Sequence, residues 1–172
     1  EQMTHMVGKM LELSRLEQGV GREHFVISTL TETLALVLAR FAADAHKKNI
    51  QLNVLPLTDS AATHAIKHDP ELIRLAVSNV LDNAINFMPK GGTIDVTVTD
   101  QGISISDNGI GVDEFAFVRL GERFFSTARP NGLRSGSGLG LAICRQIMRL
   151  HGGSIQFERV QPCGLCVRLV FS

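Results

Sequence analysis

The sequence predicts a two-layer α/β sandwich, with a mixed sheet of about five strands plus a small edge strand and three main helices on one face. Three observations carry that prediction. Short stretches alternate apolar and polar residues as half-buried strands do, most clearly Ile94, Val96, Val98 and then Ile103, Ile105. Longer stretches place apolar residues at helical spacing, and two of them follow a residue suited to an N-cap. A chain of 172 residues with 44% hydrophobic residues is long enough, and apolar enough, for one domain with a real core.

From the N-terminus, Met3, Met6, Val7, Met10, Leu11, Leu13 and Leu16 recur at helical spacing, with Glu1, Thr4, Lys9, Glu12 and Arg15 between them. A stripe this apolar needs a partner. Gly19, Val20 and Gly21 end the helix, and Phe25-Val-Ile makes a short strand. Thr29 and Glu32 have capping-box spacing ahead of a helix with Leu34, Val37, Leu38 and Phe41 on its apolar side. Residues 50–55 alternate as a second strand, 56–63 read as a polar loop, and Ala65-Ile66 as a brief strand.

Asp69-Pro70 opens the most legible helix, with Asp at the cap, Pro in the first turn and Glu71 on the positive end of the dipole. Its expected apolar face is Leu72, Leu75, Ala76 and Val80, and it runs to about Phe87 before Pro89-Lys-Gly-Gly stops it. The strand over 93–99 turns at Asp100-Gln-Gly102 into the Ile103, Ile105 strand. From 112 to 138 the pattern loses its period, as a functional lid or a disordered segment would. A last helix carries Leu141, Ile143, Ile147, Met148 and Leu150, is closed by Gly152-Gly153, and leads into a hairpin of 154–160 and 165–171.

Seventeen basic residues balance seventeen acidic ones, so no global field argues for nucleic acid or an anionic membrane, and any phosphate binding has to be local. No apolar run reaches the roughly 18 residues needed to span a bilayer, and no signal-peptide pattern opens the chain. Three cysteines make no disulfide framework, which fits a reducing compartment such as the cytoplasm. Cys163-Gly-Leu-Cys166 spells C-x-x-C, but in a terminal hairpin Cys166 reads as a core strand residue rather than a redox or zinc ligand.

Four stretches carry chemistry. Asp107 falls where the Ile103, Ile105 strand stops, so its carboxylate can point into a cavity, and Gly109 and Gly111 let the backbone approach a ligand. Asn79, Asn83 and Asn86 lie at i, i+4 and i+7 and share one helical stripe, unusual for a poor helix former. An Asn oxygen is a suitable hard ligand for Mg²⁺, and Asn83 is the candidate. Gly136-Ser-Gly138-Leu-Gly140 leads straight into a helix, where free backbone N–H groups and the positive dipole end would meet a phosphate. It is not a Walker loop, because no Lys-Ser or Lys-Thr follows the last glycine. Arg123-Phe-Phe125 lies in the connection between them, where Phe124 and Phe125 read as packing residues that fasten it.

Together these stretches resemble the catalytic ATP-binding domain of bacterial sensor histidine kinases, in the Bergerat-type superfamily shared with gyrase and Hsp90. The segment from Asn79 through Asn83 to Phe87 is similar to the N box, Asp107–Gly111 to the G1 box, Arg123–Phe125 to the F box, and Gly136–Leu141 to the G2 box. Order and spacing match over about 25–172. Residues 1–20 resemble the C-terminal part of the second helix of the dimerisation and phosphoacceptor hairpin, with 21–172 as the catalytic domain.

The resemblance implies a role for each residue. Asp107 would accept the adenine amino group, with Gly109, Ile110 and Gly111 around the ring. Asn79 and Asn83 would be the catalytic pair, Asn83 holding Mg²⁺ and Asn79 near the phosphates of ATP, with Asn86 and Phe87 completing that helix's contribution. Gly136, Ser137, Gly138, Leu139, Gly140 and Leu141 would cradle the phosphates, and the segment before them would be the ATP lid, with Phe124 against the nucleotide. The implied partners are the chain's own hairpin and a cognate response regulator, in a homodimer whose catalytic part is cytoplasmic and whose full length is anchored in the inner membrane, with no nucleic acid.

Asn79 also bears on reaction type, since the gyrase-like ATPases have a water-activating glutamate there and Asn takes no proton at neutral pH. Transfer is therefore favoured over hydrolysis. Two departures stand out. The family's Lys three residues after the magnesium Asn is Asn86 here, and Ser126 follows the F box where Arg or Lys is common, which predicts weaker ATP binding or slower transfer. None of the six histidines has the family's phosphoacceptor setting, and His5 reads as a helix-surface residue. A degenerate nucleotide-sensing module and a gyrase-type hydrolytic ATPase are the alternatives.

Overall fold

The computed structural model describes residues 2–18, 22–55, 59, 63–89, 91–123, 125 and 138–171. Seven strands and five α-helices are laid out over them: α1 (Gln2–Glu17), β1 (Val26–Thr29), α2 (Leu30–Lys47), β2 (Gln51–Val54), β3 (Ala65–His68), α3 (Pro70–Asn86), β4 (Thr93–Thr99), β5 (Gly102–Asp107), α4 (Glu114–Phe117), α5 (Gly140–Leu150), β6 (Ser154–Arg159) and β7 (Leu165–Val170). A 3₁₀ turn at Arg22–His24 precedes β1.

The main sheet has five strands in the order β2-β4-β5-β7-β6. It is mixed, because β2 runs parallel to β4 while the other pairs are antiparallel. Register explains why one face is buried. Val96 pairs with Ile105 and Val98 with Ile103, and Ile105 and Ile103 pair in turn with Val167 and Leu169. Directly opposed residues share a face, so these six apolar side chains form one patch. Helices α2, α3 and α5 supply the rest of that core through Leu34, Phe41, Ile73, Val77, Leu81, Ile143 and Ile147. Burying each such side chain is worth roughly 1.5–3 kcal/mol, which makes this interface the main source of stability. Thr97, Ser104 and Arg168 fall on the other face.

One expectation is corrected. In place of a small edge strand on the main sheet, β1 pairs antiparallel with β3 in a separate two-stranded sheet. These strands lead directly into the caps of α2 and α3, so pairing them sets the two helices side by side. Both caps form as the sequence indicates: Thr29 Oγ1 accepts from Glu32 N at 3.2 Å, and Asp69 Oδ1 accepts from Glu71 N and Leu72 N at 3.0 and 3.2 Å. Each is worth about 1 kcal/mol. The apolar face of α3 is also rotated from expectation. Ile73, Ala76, Val77, Val80 and Leu81 are buried while Leu72 and Leu75 are only partly so, because α3 is wedged between α2 and α5 and buries a wider arc.

Helix α1 finds its partner in α5. Leu13 and Leu16 are buried in the common core, but Val7 and Leu11 remain 54% and 63% exposed. The side chains of Met3 and Met6 lie outside the described residues. Among the described residues no helix is long and apolar enough to cross a membrane.

Candidate functional site

Helix α3 is the ruler of the site. Its residues 79 and 87 are separated by about 12 Å along the axis at the usual rise per residue. One group of candidate residues gathers at each end.

At the C-terminal end lies the loop that follows β5. Asp107 is paired with Ile94, so the alternation that points Ile103 and Ile105 into the core also points the Asp107 carboxylate toward the helix-covered face. Burial pushes its pKa above the ordinary 3.8, and hydrogen bonds from the Gly109 and Leu165 backbones pull against that rise. Both bonds fall on Oδ1, at 2.9 Å from Gly109 N and 3.3 Å from Leu165 N. Oδ2 is left as an acceptor for a ligand that donates.

The loop is held on three sides. Asn108 accepts from Thr93 N through Oδ1 at 2.7 Å and donates its own N–H to Thr93 O at 3.2 Å. Ile110 N reaches Phe87 O at the C-cap of α3, 3.5 Å away. A Cβ on Gly109 would sit 3.0 Å from that same carbonyl, so only glycine fits closely there. Ile110 itself is exposed, its side chain turned from the core.

The third side is one that sequence reasoning missed. The turn before β7 packs directly on the loop: Cys163 Sγ donates to Asn108 O at 3.7 Å, and a Cβ on Gly164 would fall 2.0 Å from Asp107 O. Gly164 has a φ of +126°, and Gly111, facing it, has +70°. The C-x-x-C stretch is therefore structural as expected, with Cys166 buried in β7, but its first three residues brace the Asp107 loop. Nothing local in sequence signals this, because the contact spans more than fifty residues.

Midway along α3, Asn79 is 6% exposed, so the stripe of amides is not a solvated surface. Asn83 and Asn86 are half-buried along the same line. Asn79 Oδ1 accepts from Lys9 Nζ of α1 at 2.7 Å. Its Nδ2 is, among the described residues, the one buried side-chain nitrogen or oxygen without a partner. A buried orphan donor costs about 1–3 kcal/mol until something accepts from it.

Asn79 lies against the start of α5, since a Cβ on Gly140 would be 3.7 Å from the amide. The N-cap of α5 is Leu139, and no side chain caps the helix there. The first N–H groups of α5 thus remain available to an anion. Leu139 itself is fully buried in the core, so only its backbone can line the site. Leu141 is half-buried, and Gly138 and Gly140 flank the helix start. Cys144, one turn further, is buried and donates to Ala76 O at 3.2 Å. Burial raises its thiol to about 12 despite the opposing pull of Lys9.

Between the two ends, Phe125 stacks under the Arg119 guanidinium at 4.5 Å, and Arg123 pairs with Glu17 of α1. Phe124, Gly136 and Ser137, together with Ser126, Arg129 and Arg134, lie outside the described residues.

These features suit a nucleotide with divalent metal. Oδ2 of Asp107 fits an exocyclic amine, while the uncapped α5 terminus beside Asn79 fits phosphate oxygens. Among the described residues no three His, Cys, Asp or Glu side chains cluster to hold a metal, so a metal ion here would take Asn83 and phosphate oxygens as ligands.

Residues 68–172 match the profile of the family described as histidine kinase-, DNA gyrase B-, and HSP90-like ATPase. The sensor protein QseC of Escherichia coli (strain K12) is 35% identical over 167 residues, covering 95% of this chain and 35% of QseC. The chain thus spans about a third of that relative's length. Among solved structures, the mycobacterial sensor histidine kinase MprB is 30% identical with a TM-score of 0.67, covering 85% of this chain and 97% of that one. The catalytic domain of histidine kinase ThkA, nucleotide-free, gives 26% identity and a TM-score of 0.70 over 86% and 95% of the two chains.

Proposed function

Since the chain belongs to the histidine kinase-, DNA gyrase B-, and HSP90-like ATPase family, we propose that it is the ATP-binding catalytic part of a two-component sensor histidine kinase. Residues 1–20 are the end of the second helix of a dimerisation and phosphoacceptor hairpin, and 21–172 the catalytic domain. The γ-phosphoryl group of Mg·ATP passes to a histidine on that hairpin and then to a response regulator. The full-length protein acts as a homodimer anchored in the inner membrane, with this part in the cytoplasm.

The observation that carries the reading is the pair of polar positions along the C-terminal half of α3: the Asp107 Oδ2 acceptor near the Phe87 cap and, about 12 Å back along the helix, the buried Asn79 amide beside the α5 terminus. Adenine donates its amino group to Asp107 and lies over Gly109 and Gly111. The phosphates meet Asn79 and the N–H groups at Gly138 and Gly140, and Mg²⁺, held by Asn83, neutralises phosphate charge when bound. The Pγ–O bond to the leaving nucleoside diphosphate breaks as an N–P bond forms from the lone pair of the unprotonated imidazole nitrogen, and the proton on the other ring nitrogen is released to solvent. The protein contributes alignment and charge rather than a covalent intermediate of its own. Asn79 cannot take a proton from water, which favours transfer over hydrolysis.

Incubation of this chain with γ-labelled ATP, Mg²⁺ and a separately supplied acceptor hairpin tests the proposal. Label on the hairpin, absent with Asp107→Asn, is the expected result. ATP binding without labelling would mean a nucleotide-sensing module, and steady phosphate release without the hairpin would mean a hydrolytic ATPase.

A further inference from the structure

The asparagine stripe of α3 offers three amides and no positive charge to a ligand as anionic as a nucleoside triphosphate. The structure brings a cation to that stripe from elsewhere. Lys9, on α1 and seventy residues distant in sequence, places Nζ 2.7 Å from Asn79 Oδ1.

Three features converge there. An ammonium has three donors and no acceptor, so one N–H on Asn79 leaves two for a ligand oxygen. Because Lys9 can only donate, it fixes the amide orientation: Oδ1 must face the lysine, and Nδ2 is turned the other way, toward the buried Cys144 thiol. The same amide lies against Gly140 at the uncapped start of α5. The remaining N–H groups of the ammonium and the uncapped N-terminus of α5 meet on the same side of Asn79, around Oδ1; all are donors, and what satisfies them together is an oxyanion. Two other cations nearby are committed elsewhere: Arg123 pairs with Glu17, and Arg145 donates to Leu120 O at 3.0 Å.

We infer that Lys9 is a phosphate-binding residue of the nucleotide site, supplying from α1 the positive charge that α3 lacks at Asn86. The inference rests on the reading of the site given above and adds a residue to it. It also makes α1 a part of the site and not merely a support: the helix that buries Leu13 and Leu16 in the common core carries the cation at the same time.

Calorimetric titration with Mg·ATP and with adenosine, which has no phosphate, separates the possibilities on the parent chain, Lys9→Met, Lys9→Arg, Lys9→Met/Asn86→Lys and Asp107→Asn. Lys9→Met is expected to weaken Mg·ATP binding about tenfold while leaving adenosine binding unchanged. Lys9→Arg should stay within about threefold of the parent, and the double variant should recover much of the loss, because charge returns to the stripe from α3 itself. Unchanged Mg·ATP affinity in Lys9→Met overturns the inference. So does tighter binding, which would make Lys9 a plug, and so does an equal loss with adenosine, which would make it a prop for the fold. Failure of the parent to bind ATP, or binding indifferent to Asp107→Asn, would instead overturn the nucleotide reading itself, and the role of Lys9 with it.

Discussion

The two ends of the candidate site, one at the C-cap of α3 and one at its middle, are built on different plans. At the Asp107 end the walls are two neighbours in the sheet and one helix cap: β4 through Thr93, the β7 turn through Gly164 and Leu165, and the α3 cap through Phe87. At the Asn79 end the walls are helix termini and one lysine from the first helix, and a buried donor is left over. A pocket at the end of the central strand, braced by backbone hydrogen bonds, is built before its ligand arrives and suits recognition of shape. A pocket between helix ends keeps unmet hydrogen bonds, and its ligand is what completes it. The difference teaches that base recognition and phosphate recognition in this fold can be disturbed separately.

The largest expected effect comes from removing the acceptor at the braced end. Asp107→Asn keeps a side-chain oxygen for Gly109 N and Leu165 N but offers an amino group where the ligand needs an acceptor. ATP affinity should fall by at least about 100-fold in calorimetry, while the urea midpoint at neutral pH stays level or rises, because a buried carboxylate has been neutralised. A folded Asp107→Asn chain that binds ATP like the parent would erase the contrast.

Next, Gly164→Ala attacks the same pocket from behind. The methyl would meet Asp107 O on a backbone at φ +126°, so a loss of about 2 kcal/mol in unfolding free energy and weaker adenosine binding are expected. An alanine chain with parental stability and affinity would show the β7 turn to be a bystander. At the other end, Asn83→Ala should cost about tenfold in ATP affinity when Mg²⁺ is present and little when it is chelated. Equal losses in both conditions would remove Asn83 as the metal ligand.

Asn86→Lys in the otherwise unchanged chain should tighten Mg·ATP by about threefold, less than the change expected from Lys9 because a second cation adds less than the first. The smallest effect is on pH. The folded pKa of Asp107 is raised, so between its unfolded and folded values the native chain holds the proton more tightly than the unfolded chain does. The group's contribution to stability is best below the unfolded value and declines as pH rises through the folded one. Comparing denaturation midpoints of parent and Asp107→Asn across the acid range should show that decline only in the parent.

The base-facing half was legible in sequence because its signals are short-range. The alternation Ile103, Ile105, Asp107 placed the carboxylate on the core face, and the two following glycines marked the loop, with no knowledge of neighbours. Asn79, Asn83 and Asn86 were equally readable as one stripe, since helical spacing alone defines it. What the stripe faces was not readable. Lys9 looked like one of several charges between the apolar positions of α1, and only the docking of α1 on α5 gives it a partner. Gly164 was hidden in the same way, as the middle of a C-x-x-C whose purpose is to clear Asp107 O. The pairing of β1 with β3 escaped because two four-residue strands of similar composition fit the edge of a large sheet as well as they fit each other. Local pattern fixes which way a side chain points along its own element; it carries no record of which distant element arrives in front of it.

The strand order β2-β4-β5-β7-β6 has a consequence for how the chain is made. β7 lies inside the sheet, between β5 and β6, although it is the last strand in sequence. While the polypeptide is still emerging from the ribosome, β5 therefore waits with one edge unpaired, and the Asp107 carboxylate lacks the Leu165 N–H that later steadies it. The start of α3 waits too, because Asp69 N donates to His151 Nε2, eighty-two residues further on. A chain interrupted before Leu165 would thus carry Asp107, the asparagine stripe and the start of α5, yet hold no finished seat for a base. The strand that closes the pocket is made after the rest of its walls, so products that stop short of it are excluded from nucleotide binding by topology alone.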